Sequence, residues 1–388
     1  MKPDISKRIA AVSDPVIPVI ADLIAANPGT ISMGQGVVGY APPPVIWDHI
    51  ETFRAQPRNH VYQDVDGIPQ LRDALRAKMT HENGIDCEGS EVIVTSGSNM
   101  AFLHVILAIA DPGDEIMIIS PYFFNHEMAL RFANIHPVIV PADTNYMPDV
   151  DGLRRAMTSR TRAIVTVSPN NPTGAVYPEE LLKAVNTLCA THGLYHISDE
   201  AYESFTYDDH QHYSPASAIG ATDHTISLFS FSKAYGFASW RIGYMLVPRH
   251  LYRPLLRIQD TNPLCPPVIS QFAALGLLEG GVAFVHNAVQ PLLAARVYCM
   301  QELQKQQAWL SMGSPSGAFY FYIRQLSGGD SMQIAKTLIE QYKIAVIPGV
   351  AFGDTTGCTF RVSYGAVSRE HLTEGVDRLI RGLQAQTT

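Results

Sequence analysis

Apolar side chains along this chain fall into two alternating patterns. Short runs rich in β-branched residues occur at EVIVT (91–95), EIMII (115–119), PVIV (137–140), AIVTV (163–167), LYHIS (194–198), TISLFS (225–230) and GYMLV (243–247), and these read as strands. Between most of them lie amphipathic stretches such as AFLHVILAIA (101–110) and PEELLKAVNTLCATHG (178–193), which read as helices. Strands alternating with helices predict an α/β fold, a mostly parallel seven-stranded sheet covered by helices on both faces. Ligands of such sheets collect outside the carboxyl ends of the strands.

The rest of the chain predicts a smaller α+β unit built from both termini. It contains a helical stretch at 286–308, strand-like GAFYFYI (317–323), a helix near 331–342, IAVIPG (344–349), TFRVSYG (359–365) and a closing helix at 368–384. The expected division is a large domain at 46–285 and a small one formed by 1–45 together with 286–388.

Composition narrows the function classes. The 388 residues are 46% hydrophobic and 16% charged, which suits a large buried core and disfavours disorder. A formal charge of −8 argues against a general nucleic-acid or anionic-membrane surface, and no run of about 18 apolar residues is evident. With five widely spaced cysteines and no C-x-x-C, neither a disulfide framework nor a zinc site is expected. These features suit a soluble protein of the cytoplasm.

ISMGQGVVGY (31–40) spells G-x-G-x-x-G through Gly34, Gly36 and Gly39. A dinucleotide turn needs a helix to begin within the glycines, so that its amides face a pyrophosphate. Here Pro42, Pro43 and Pro44 follow almost at once, remove amide donors and disfavour helix before them. The motif predicts a tight loop.

Four strand ends carry polar clusters. After 91–95 come Ser96, Gly97, Ser98 and Asn99, either a helix N-cap or an anion cradle. SPNNPTG (168–174) is an irregular turn from which Asn170 or Asn171 can aim an amide into the crevice. Asp199 ends an apolar strand in DEAYESF; the rival reading, a magnesium-binding strand, requires a phosphate-loop motif found nowhere in the chain. Lys233, in SFSKAYGFASWRIGY (230–244), lies just past a buried strand with Ser230, Ser232 and Arg241 nearby. Most lysines are solvated surface residues, but one in a desolvated crevice beside other cations becomes an amine that condenses with a carbonyl. An amine, an acid, an amide, a phenol, hydroxyls and an arginine together are what pyridoxal phosphate requires.

This constellation resembles the class I/II aminotransferases, fold-type I pyridoxal phosphate enzymes, over about residues 15–380. The resemblance implies that Lys233 is the Schiff-base lysine, that Asp199 partners the pyridine nitrogen, and that Asn171 and Tyr202 contact the ring 3-oxygen. Gly97, Ser98, Asn99, Ser230 and Arg241 would hold the phosphate, and Phe123, in SPYFFNHEMAL, would stack on the ring. Tyr62, in NHVYQDVDGIPQLRDAL, would reach the phosphate of a partner subunit, implying a homodimer with shared sites. Arg361 in TFRVSYG would clamp the substrate carboxylate, with Gly36 presenting backbone beside it. Two positions depart from the family pattern: Ser239 stands where glycine is usual, and Val37-Val38-Gly39 replace a common Glu-Pro-Asp, which bears on substrate access.

The expected activity is ping-pong transamination between an L-amino acid and a 2-oxo acid. Elimination or decarboxylation on the same cofactor is the alternative. Some transcription regulators carry a similar domain, but they add a basic DNA-binding module at the N-terminus, whereas here the pattern begins within about twenty residues. Ile17, Tyr40, Phe123, Phe124 and Phe352 lean towards aromatic, methionine-like or other uncharged substrates. Arg253 and Arg257 are candidates for a side-chain carboxylate only by neighbourhood, and surface placement is expected for both. For His126 a structural hydrogen bond and a contact with the site are both open.

Overall fold

A computed structural model describes residues 5–313 and 315–387. The strands in chain order are β1 (Ile31–Ser32), β2 (Ser90–Thr95), β3 (Glu115–Ser120), β4 (His136–Pro141), β5 (Thr161–Val167), β6 (Tyr195–Asp199), β7 (Thr225–Ser230), β8 (Gly243–Pro248), β9 (Leu310–Met312), β10 (Tyr320–Gln325), β11 (Ile344–Ala345), β12 (Ile347–Pro348) and β13 (Thr359–Ser363).

All seven apolar runs read from the sequence enter one sheet, in the order β2-β8-β7-β6-β5-β3-β4. Every pairing is parallel except those of β8, which runs against β2 and β7. Val92, Ile93 and Val94 are all fully buried, as are Ile226 and Leu228, because helices cover both faces of these strands, whereas the edge strand β4 leaves Ile139 exposed. One covering helix, Glu179–His192, is amphipathic and stops at Gly193, which adopts φ 68°, a left-handed conformation that costs glycine little.

The second layer is a four-stranded antiparallel sheet, β12-β13-β10-β9, with the short parallel pair β1-β11 beside it. Met33 donates its N–H to Ala345 O and accepts from Ser363 N, so the segment after β1 runs along this small sheet towards the crevice.

The G-x-G-x-x-G segment starts no helix; the next one begins at Ile46. Its glycines serve close packing instead. Gly39 donates to Gly365 O, and a Cβ on Gly365 would stand 2.6 Å from Val37 O.

One expectation is corrected. The helix read at 286–308 is the end of a longer one, Val268–Gln304, broken by non-helical φ/ψ at Gly281. Its mixed pattern of Gly, Ala and Glu279 hid it, and it also contains an 18-residue window of mean hydropathy 1.7, long and apolar enough to cross a membrane by length and composition alone. In this fold Ala274, Leu277, Arg296 and Cys299 of that helix are buried in the protein.

The five cysteines are unpaired. Burial pushes the thiols of Cys189 and Cys299 up to about 12 and that of Cys358 to about 11, away from nucleophilic use.

Candidate active site

At the carboxyl ends of β2, β3, β5, β6 and β7 lies a cavity of about 400 Å³. Because β8 runs the opposite way, its first residues lie at the same edge, which brings Arg241 there although it precedes a strand rather than following one. Of the residues singled out from the sequence, Gly36, Ser98, Asn99, Phe123, Asn171, Asp199, Tyr202, Ser230, Lys233, Arg241 and Arg361 all line this cavity.

Gly97 does not line it but shapes it. It adopts φ 86° as the residue before the helix Ser98–Ile109, and any Cβ would collide with the Arg241 guanidinium. That helix has no side-chain cap, and with Met100 N already donating to Gly97 O the amides of Ser98 and Asn99 are those left for an anion, in favour of the cradle over the simple N-cap. Arg241 itself holds φ 57°, uncommon outside glycine, while its Nη1 donates to Ala238 O at 2.8 Å. Ser239 is exposed, and Trp240 stacks on Phe237 with centroids 4.7 Å apart. The departure from glycine at 239 therefore leaves a well-packed turn.

Lys233 Nζ donates to Gly36 O at 2.5 Å. Burial, and then the Arg361 and Arg241 charges, lower its pKa to about 8, with Asp199 acting the other way. Asp199 is 4% exposed. Its Oδ1 accepts from Ala201 N at 3.1 Å and its Oδ2 lies 3.1 Å from His126 Nε2. The His126 ring is sandwiched, stacking on Phe102 at 4.1 Å with Phe123 edge-on at 5.2 Å. His126 thus touches the site through Asp199. Its place three residues after Phe123, in the first turn of the helix Phe124–Phe132, was the available signal.

The small sheet supplies the opposite wall. Arg361, on β13, is 3% exposed and donates from Nη1 to Asn171 Oδ1 at 2.8 Å and from Nη2 to Gly34 O at 2.7 Å. Its buried Nε has no partner among the described residues. The guanidinium lies over the rings of Tyr320 and Phe352, at 4.5 and 5.0 Å. Tyr320 lines the cavity and its hydroxyl stands 2.6 Å from that of Tyr202, a contact the sequence did not reveal because it joins β10 to the turn after β6, far apart in the chain.

Ile17, Ile20, Ala21 and Ile24 of the helix Val16–Ala26 complete the wall with Phe124 and Ile347. Of the apolar candidates, Tyr40 and Phe352 are corrected. Tyr40 turns its hydroxyl to the carbonyls of Lys233 and Ala234, and Phe352 sits beneath Arg361; neither lines the cavity. Arg253 and Arg257 are exposed on the helix Arg249–Thr261, as expected. Tyr62 lies outside the cavity and is 81% exposed.

Three cations, Lys233, Arg241 and Arg361, face one acid, Asp199, so the cavity suits a ligand carrying more than one negative group. A depressed amine, a buried acid behind it and an uncapped helix end are the equipment of a pyridoxal phosphate enzyme. The chain belongs to the aminotransferases of class I and II, whose family profile matches residues 28–379. It is 32% identical to an aromatic aminotransferase of Arabidopsis thaliana over 98% of this chain and 96% of that one. It is 37% identical to an aspartate/prephenate aminotransferase of Thermus thermophilus over 83% of each. The solved structure of an aspartate aminotransferase from Thermus thermophilus with maleate superposes with a TM-score of 0.90 at 32% identity, covering 98% of this chain and all of that one. The protein is a pyridoxal phosphate-dependent transaminase.

Proposed function

We propose that this transaminase acts on L-amino acids with uncharged side chains, aromatic, methionine-like or otherwise apolar, and a 2-oxo acid, in two half-reactions. The observation that carries the reading is the cavity wall. Ile17, Ile20, Ala21, Ile24, Phe124 and Ile347 make its far side apolar, and its only described cations are Lys233, Arg241 and Arg361, all with other work.

Bound pyridoxal phosphate supplies an electron sink for a broken bond at the substrate's Cα. Lys233 is its covalent attachment point and then carries the proton on and off Cα, for which a pKa near neutrality is suited. Asp199, backed by His126, holds a proton on the pyridine nitrogen. Asn171 and Tyr202 hold the ring 3-oxygen, and Phe123 stacks on the ring. Gly97, Ser98, Asn99, Ser230 and Arg241 receive the phosphate. Arg361, with Gly36 beside it, orients the α-carboxylate through the donors its protein partners leave free. The cofactor cluster comes from 46–285, while Gly36, Arg361 and the wall helix come from 1–45 and 286–388, which supports a division into a cofactor body and a substrate-closing unit.

A panel of amino donors against 2-oxoglutarate and pyruvate tests this. Phenylalanine, tyrosine, methionine or leucine should exceed aspartate in kcat/KM by about 10–100-fold, the cost of an unpaired buried carboxylate. Aspartate as the better donor would overturn the specificity. Release of ammonia or carbon dioxide without stoichiometric amine transfer would replace transamination by lyase or decarboxylase chemistry.

We also propose that the active unit is a homodimer in which Tyr62 serves the neighbour's phosphate. Tyr62 and its neighbour Val61 are 81% and 62% exposed in the single chain, which leaves both open to a partner's surface. Tyr62→Phe should weaken pyridoxal phosphate binding about 10-fold, the loss of one hydrogen bond to a charged group. Sedimentation showing a fully active monomer would refute the shared site.

A further inference from the structure

Tyr320 opens β10 and is completely buried, yet its hydroxyl reaches the cavity. Among the described residues that hydroxyl has one hydrogen-bond partner, Tyr202, at 2.6 Å. Its location is fixed on three sides. A Cβ on Gly36 would stand 2.6 Å from the hydroxyl oxygen, the Arg361 guanidinium lies 4.5 Å from the ring centroid, and the Tyr202 ring meets it edge-on at 5.5 Å. The side chain therefore touches both the phenol facing the cofactor and the cation facing the substrate.

Two phenols that share one hydrogen bond must decide which donates, since each has a single proton. Here the surrounding charges decide. Arg361 favours the ionised form of both phenols, with its guanidinium 4.5 Å from the Tyr320 ring centroid, and Lys233 Nζ lies 5.8 Å over the Tyr202 ring, while Asp199 disfavours ionisation of Tyr202 alone. Burial raises both phenols, and leaves Tyr202 well above its ordinary value. The more acidic phenol is the donor.

We propose that Tyr320 is a positioning residue for transamination: its hydroxyl donates to Tyr202, so that the Tyr202 proton is free to point into the cavity at the cofactor's ring 3-oxygen. This rests on the reading that Tyr202 faces that oxygen. A donor that is itself hydrogen-bonded at its oxygen is a stronger donor, because chained hydrogen bonds polarise one another. Tyr320 thus strengthens a contact it does not make, and holds Tyr202 and Arg361 in one rigid unit.

The test is the pH midpoint of the bound cofactor's visible absorbance, measured on holoenzyme. Weakening the Tyr202 donor disfavours the ring oxyanion, so Tyr320→Phe should move the midpoint upward by at least about half a pH unit, the scale of part of one hydrogen bond. The phenylalanine keeps the surface under Arg361, so KM for the amino donor should change less than about twofold while kcat falls about fivefold, the equivalent of 1 kcal/mol. Site-specific 3-fluorotyrosine at 320, a more acidic phenol of nearly the same shape, should shift the midpoint the opposite way and keeps the test available if the phenylalanine variant folds poorly. No shift in either variant would reduce Tyr320 to packing. A downward shift with phenylalanine would mean that Tyr202 donates to Tyr320, and would overturn the assignment as well. The double variant Tyr202→Phe with Tyr320→Phe should titrate like Tyr202→Phe alone. If Tyr202→Phe itself leaves the midpoint unmoved, it is the role given to Tyr202 that fails.

Discussion

Replacing Lys233 by alanine should lower turnover by at least about 10⁴-fold, the upper range for removing a general acid–base, and the covalent attachment is lost with it. Borohydride treatment of the wild-type holoenzyme should label the peptide containing residue 233, and the variant should take no label. A label elsewhere, or an active alanine variant, would remove the assignment. The environment of the amine adds a pH signature. With its pKa brought down to about 8 by burial and by Arg361 and Arg241, the neutral, nucleophilic amine is the minor form below that pH and the major form above it. Uptake of pyridoxal phosphate by cofactor-free protein should therefore accelerate as pH rises through about 8 and then level off. An ordinary solvated lysine would keep accelerating to about 10.4.

Asp199→Asn should come next in magnitude, reducing kcat by about 10²–10³-fold. Breaking a buried charge pair by removing one partner costs about 3–5 kcal/mol, and the proposed pair would form only with a protonated ring nitrogen. Asparagine keeps the shape, the Ala201 N–H and a contact for His126, so circular dichroism should report an unchanged fold. The loss should fall on kcat more than on KM if the carboxylate has the role proposed for it, which belongs to the chemical step rather than to substrate binding. A loss smaller than tenfold would move the role elsewhere.

How far these residues could be found from sequence depended on whether their positions are local. Lys233, Asp199 and Asn171 sit just past strands with strong periodicity, so recognising β5, β6 and β7 placed them at the ligand edge. All seven sheet strands were legible for the same reason, being apolar on both faces. The helix Val268–Gln304 was misread because an apolar, glycine-interrupted stretch has no single face to count. Of the helix Val16–Ala26 only Ile17 was singled out, and Tyr320 was not, since the meaning of Ile20, Ala21, Ile24 and Tyr320 comes from segments brought together across the chain. Tyr40 and Phe352 were named from residue type, and only packing could reveal that one braces the turn carrying Lys233 and the other supports Arg361.

The helix Val16–Ala26 contributes four side chains to the substrate wall and has no part in the polar cluster at the sheet edge. On the roles proposed above, selectivity and reactivity would be encoded at separate addresses, so that exchanging these isoleucines and the alanine would leave the polar cluster untouched.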